Sequence, residues 1–138
     1  MEHRILGHEE LADRWHEIKS WVNESLVHGT GDVTAHGLFL ECLSNVSQCW
    51  ILEDNDKHEL QGVAITRILH YATYSECVIV ATTCNEWFKI GPKILEDIEG
   101  FAKEMNCKYT SVYGRRGWSR VLKPMGYKEP YITLMKEL

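Results

Sequence analysis

The chain has 138 residues, 44% hydrophobic and 25% charged, with a formal net charge of -5. That length suits a single domain, 1–138, whose core needs no staples, and the acidic balance excludes a general nucleic-acid binder, which needs a basic field. Five cysteines (Cys42, Cys49, Cys77, Cys84, Cys107) form no C-x-x-C pair and seven histidines show no ligand spacing, so the thiols read as buried and free in a reducing compartment and no metal site is signalled.

The opening "MEHRILGHEELADRW" carries no apolar leader, and no run approaches membrane-spanning length. The expectation is a cytoplasmic protein with neither a membrane nor a nucleic-acid partner. From His8 to His28 the residues Leu11, Trp15, Ile18, Val22 and Leu26 recur at three- and four-residue spacing, one face of an amphipathic helix. The glycines of "HGTGD" (His28 to Asp32) end it, and a shorter helix is expected from Gly37 to Leu43. "QCWILED" (Gln48 to Asp54) and "LQGVAITRIL" (Leu60 to Leu69) read as a hairpin across a polar turn. "SECVIVATTC" (Ser75 to Cys84) is the most apolar strand and the expected central one.

A helix is expected from Pro92 to about Met105, burying Ile94, Leu95, Ile98, Phe101, Ala102 and Met105. "KYTSVY" (Lys108 to Tyr113) follows as a strand and completes a right-handed βαβ unit. A short helix from Gly117 to Met125, a glycine stop at Gly126 and a last strand near Tyr131 to Met135 close the chain. Ile90-Gly91-Pro92-Lys93 lies between strand and helix. It reads either as an anion cradle, since helix N-terminal amides are unpaired and partly positive, or as a plain helix start.

The order of elements resembles the GNAT acyltransferase superfamily over most of the chain, best from Trp50 to Leu138. The most specific part is "GWSRVLKPMGYKEPYITLMKEL", similar to that family's last helix, which closes on a Gly-Phe pair, here Gly126-Tyr127, before a final strand. The resemblance implies an α/β (α+β) fold: a mixed central sheet with an antiparallel meander and a βαβ crossover, and helices on both faces. It implies transfer of an acetyl group from acetyl-CoA to an amine on a small molecule or protein, with room for a homodimer. By the same resemblance Val80, Ala81 and Thr82 would pair with the pantetheine arm, and Lys89, Ile90, Gly91 and Lys93 would surround the pyrophosphate.

Two departures stand out. The family's loop has a second small residue where this chain has Lys93, and Trp87 or Phe88 falls near the usual Arg or Gln. The tyrosine that protonates the leaving thiolate in many members is replaced by Leu122, and Arg115 aligns with the common asparagine. Tyr113 or Ser119 could serve as the acid instead, and Glu76 or Glu41 as the base for the attacking amine. "GRRGWSR" (Gly114 to Arg120) reads as an anion site, for the 3′-phosphate of CoA or an acidic partner, or as a solvated turn over a packed tryptophan. Trp87 could flank a pocket. The divergent tail looks like that of small bacteriophage GNAT-like proteins, some virion-associated. The rival expectation is therefore a GNAT-shaped binding or structural protein without catalysis.

Overall fold

In the computed structural model, residues 1–27, 31–113 and 116–138 are described. The elements are β1 (Glu2–Ile5), α1 (His8–Leu26), α2 (Ala35–Leu43), β2 (Ser47–Glu53), β3 (Leu60–His70), β4 (Ser75–Cys84), α3 (Trp87–Glu104), β5 (Tyr109–Val112) and α4 (Arg116–Leu122), with a 3-10 turn over Lys123–Met125. The sheet has five strands in the order β1-β2-β3-β4-β5. The first three pairings are antiparallel and β4/β5 is parallel. β4 is interior as expected of its apolar run, but the middle of the sheet is β3. The strand β1 is unanticipated, because four residues with a mixed burial pattern carry no period to read.

The two faces are buried separately. Leu11, Ile18 and Val22 of α1 and Leu38 and Cys42 of α2 pack on Ile51, Val63, Ile65 and Ala81. Ile90, Ile94, Leu95, Ile98 and Ala102 of α3 pack on Trp50, Ala64, Cys77 and Ile79, with Leu122 of α4 joining them. Thr34 starts α2 as a side-chain cap, its hydroxyl accepting from the Gly37 N–H at 3.0 Å. Among the described residues no helix is long and apolar enough to cross a membrane.

Charge holds β1 in place. Glu53 is 3% exposed and accepts from Arg4 Nη2 at 3.1 Å and from Arg14 Nη1 at 2.7 Å, tying β1 and α1 to β2. On the other face the His3 ring stacks on Trp50 with centroids 4.9 Å apart, and its Nδ1 lies 3.1 Å from Asp97 Oδ2 of α3. Burial pushes the His3 imidazole below its ordinary 6.5, against the opposing pull of Asp97. The folded chain therefore resists a proton that the unfolded chain accepts as pH falls through about 6.5, so stability should drop on acidification. The measurement is urea unfolding between about pH 7.5 and 5.5, where His3→Phe, which keeps the stack, should flatten the slope. Glu10 and Glu53, both held below the usual carboxylate value by Arg4 and Arg14, respond only at lower pH. An undiminished slope in the variant would put the effect elsewhere.

The helix expected to begin at Pro92 begins at Trp87. Glu86 turns the chain out of β4 in the left-handed region, φ 48°, and its carbonyl accepts from the N–H groups of Lys89 and Ile90 at 2.9 and 3.0 Å. Pro92 is thus the sixth helical residue, where its missing N–H removes only the bond to the Phe88 carbonyl. Gly91 has a packing role: a Cβ there would lie 2.6 Å from the Trp87 indole, which covers it. Met105, expected in the core, is 50% exposed because α3 ends at Glu104.

The last expected strand is absent. Residues 127–138 have no regular secondary structure, and Tyr131, Ile132, Leu134 and Met135 are exposed. The segment has a strand-like pattern, but a strand exists only with a ladder partner, and none pairs with it among the described residues. Gly126, at φ 92°, ends the 3-10 turn in the conformation that favours glycine.

Candidate active site

β5 ends before β4 does. β4 and β5 pair from Glu76↔Tyr109 to Ile79↔Val112, and the described pairing stops there. At the same level β4 carries a bulge: Thr66 pairs with Ile79 and Ile65 with Ala81, which leaves Val80 unopposed on β3. The extra residue bends the strand and reverses the sidedness beyond it. Ile79 faces α3, whereas Ala81 faces α1 and α2. Ala81 and Thr82 still pair with β3, and their other backbone edge faces the gap. Extended backbone with an unpaired edge is what a chain-like ligand can pair with, as in strand addition.

Three residues back along β4, on the α1/α2 side, stands a carboxylate with two hydroxyls. Glu76 is 6% exposed, and its Oε1 accepts from Ser111 Oγ at 2.7 Å and from Tyr113 OH at 3.4 Å. The Tyr113 ring is largely solvent-exposed, but its hydroxyl end is tucked against Glu76 and Tyr71. Desolvation there, and then the Glu76 charge, push it up to about 12. Glu76 and Tyr113 are thus brought together, an acceptor and a donor of protons on one side of the gap. Glu41 is on the same side but engaged elsewhere, both oxygens held by Arg67 Nη2 at 2.7 Å. Ser111 was not anticipated. Its signal was present, since it stands two residues before Tyr113 and so shares its strand face.

On the α3 side the gap is walled by aromatic rings. Trp87 meets Trp118 of α4 edge to face, centroids 4.8 Å apart. Cys84 and Val112 pack in the same cluster. Two fully buried polar atoms on this side have no hydrogen-bond partner among the described residues: Thr82 Oγ1 and Trp87 Nε1. Of the residues expected around a pyrophosphate, Ile90 and Gly91 are buried against the core rather than presented by a loop. Lys89 and Lys93 are exposed, Lys89 4.0 Å from Glu86 and Lys93 3.0 Å from Asp97. The amides that open α3 belong to Trp87 and Phe88, one turn earlier than expected.

Leu122 is 4% exposed in the core, so that position offers no acid. Ser119 is half-buried on α4. Gly114 and Arg115 lie outside the described residues, as does the side chain of Arg116, and with them the asparagine-equivalent position and two of the three arginines of the expected anion cluster. Tyr127 anchors the last turn: its hydroxyl donates to Glu99 Oε2 at 3.0 Å and lies 2.9 Å from Thr110 Oγ1. Among the described residues no group of three or more His, Cys, Asp or Glu side chains is placed to hold a metal ion.

No family model matches the chain, and no curated protein aligns with it in sequence. Solved structures do match. Glucosamine-6-phosphate N-acetyltransferase from Arabidopsis thaliana superposes with a TM-score of 0.69 at 14% identity, covering 99% of this chain and 97% of that one. A Trypanosoma brucei acetyltransferase gives 0.71 at 10% identity, with 99% of each chain covered. A GNAT family acetyltransferase from Staphylococcus aureus gives 0.66 at 16% identity, covering 99% and 98%. The chain has the GNAT fold, a mixed α+β architecture spanning its whole length. At these identities the likeness is one of fold, and the chemistry rests on this chain's own residues.

Proposed function

We propose that this protein binds acetyl-CoA in the gap between β4 and β5 and transfers the acetyl group to an amine. The observation that carries the reading is the edge of β4 that has no described ladder partner beyond Ile79, beginning at a bulge three to four residues along the strand from the buried Glu76, which the Tyr113 hydroxyl reaches. The residues present suit the co-substrate. The free backbone edge of Val80, Ala81 and Thr82 matches an amide-bearing arm. The opening amides of α3 at Trp87 and Phe88, with Lys89, match its phosphates.

Acetyl-CoA brings an activated acyl carbon and a thiol leaving group. Glu76 takes the proton that the ammonium must lose before its nitrogen can attack, directly or through one water. Tyr113, protonated throughout the physiological range, returns a proton to the departing sulfur. Ser111 holds the Glu76 carboxylate in one orientation from the neighbouring strand. Arg67 keeps the second carboxylate on this side, Glu41, neutralised, so two like charges do not compete beside the acceptor.

Calorimetric titration with CoA, followed by thiol release from acetyl-CoA with polyamines, amino acids and peptides, tests the proposal. Saturable binding and turnover on at least one amine class are expected. No binding of CoA to the folded chain would overturn it. The apolar Leu122 favours one other reading, a GNAT-shaped binding protein. CoA binding without thiol release on any amine would select that one.

A further inference from the structure

Glu76 stands among tyrosines. Tyr109 precedes Ser111 by two residues on β5, so it shares the face from which Ser111 and Tyr113 reach that carboxylate. It is also the ladder partner of Glu76. Two more rings come from the turn between β3 and β4, where the Tyr71 N–H donates to the Tyr74 carbonyl at 2.8 Å. Tyr74 meets Tyr109 edge to face with centroids 5.3 Å apart, and Tyr71 lies 5.1 Å from Tyr74. Tyr71 is 46% exposed and Tyr109 51%, so these rings present surface to solvent. The group already holds a cation. The Lys108 ammonium lies 5.4 Å from the Tyr109 centroid and 6.0 Å from that of Tyr74, on an exposed side chain.

We propose that Tyr71, Tyr74 and Tyr109 form the acceptor subsite and select a diamine or polyamine, holding one of its ammonium groups against their faces while a second nitrogen reaches Glu76. This rests on the acetyl-transfer reading above and narrows it, since that reading leaves the class of amine open. The two nitrogens have different needs. The attacking one must give its proton to Glu76. The one held by the rings must keep its charge, because a ring face attracts a cation. One ammonium cannot do both, so the acceptor carries at least two. The acetyl carbon bonds to the nitrogen that Glu76 deprotonates, the sulfur leaves with the Tyr113 proton, and the ring-held ammonium is unchanged. An acceptor with an anion in the second place meets the negative ring faces and the Glu76 carboxylate, and both repel it. Lys108 stands where the ligand's ammonium would, and an exposed contact of this kind is weak enough to be displaced.

The test measures acetyl transfer to 1,4-diaminobutane, n-butylamine and 4-aminobutyrate, which share a chain length and differ in the second group. Calorimetry measures binding of the same three to the folded chain. KM and Kd should be lowest for the diamine, roughly two- to thirtyfold below butylamine, the span of a cation–π contact. They should be highest for aminobutyrate. Tyr74→Leu and Tyr109→Leu should remove most of the diamine preference, whereas Tyr74→Phe, which keeps the ring face, should retain it. Lys108→Met should increase the preference, because the resident cation is gone. Equal affinity for the three amines in a wild type that turns over acetyl-CoA would overturn the inference and leave the transfer reading intact. So would a preference that survives both leucine variants while their melting temperatures fall, the mark of a packing role, or one that weakens in Lys108→Met. A wild type that releases no thiol with any amine defeats the transfer reading first and this inference with it. Lys108→Met, at an exposed position, keeps the test informative if a leucine variant fails to fold.

Discussion

Glu76→Gln should lower the rate of acetyl transfer by about 10²–10⁴-fold, the usual worth of a positioned general base, and leave CoA affinity nearly unchanged. The substitution keeps the volume and the hydrogen bond to Ser111 but removes the basic oxygen. The fall should appear in kcat and kcat/KM together, because the proton transfer is used only in the transition state. Tyr113→Phe should also act on kcat, while the fold, in which this residue is 63% exposed, should be little affected. Thiol-release kinetics with one responsive amine check both. Turnover that survives Glu76→Gln would remove the carboxylate from the mechanism. A Glu76→Gln protein that loses CoA affinity in the same measure would show that the residue shapes the gap instead.

The second large effect is structural. Ile79→Ala should cost about 2–5 kcal/mol of unfolding free energy, the range for truncating a large aliphatic side chain in a core. Ile79 is 2% exposed, the last residue of β4 paired with both neighbours, and it packs in the α3 cluster with Ile94, Leu95 and Ile98. Val80→Ala, one position on, should cost less, because the bulge leaves Val80 only partly buried. Urea unfolding measures both. A loss under about 0.5 kcal/mol at Ile79, no more than a surface change, would contradict the packing described.

Much of the architecture was legible because it rests on local periodicity. Leu11, Ile18 and Val22 recur at helical spacing and are the buried residues of α1. The β-branched runs of β3 and β4 begin at the residues where the chain's pattern begins. The candidate base Glu76 was legible as a carboxylate on the likeliest buried strand. Ser111 could have been picked out from its place two residues before Tyr113, but its contact with Glu76 could not, since it bridges residues thirty-five apart in sequence. Where the reading failed, long-range terms decided. The helix was expected at Pro92 because proline suits a first turn. The chain starts it at Trp87, where the indole can bury itself on Gly91 and against Trp118. The pattern around Tyr131 to Met135 is that of a strand, yet strand formation is a property of pairs and not of segments.

The sequence alone therefore determined most of the helical and extended segments and their apolar faces, and it put two candidate acid–base side chains, Glu76 and Tyr113, on one strand and just beyond the end of the next. Those properties depend on residue type and spacing within a dozen positions. Tertiary structure alone decided that β4 carries its extra residue at Val80, that the described β4/β5 pairing ends at Val112, and that Glu76 meets Ser111 and Tyr113. A bulge and the end of a pairing are relations between strands. They are set by how many residues each neighbouring strand contributes and by which helix covers each face, and no window of one strand contains that information.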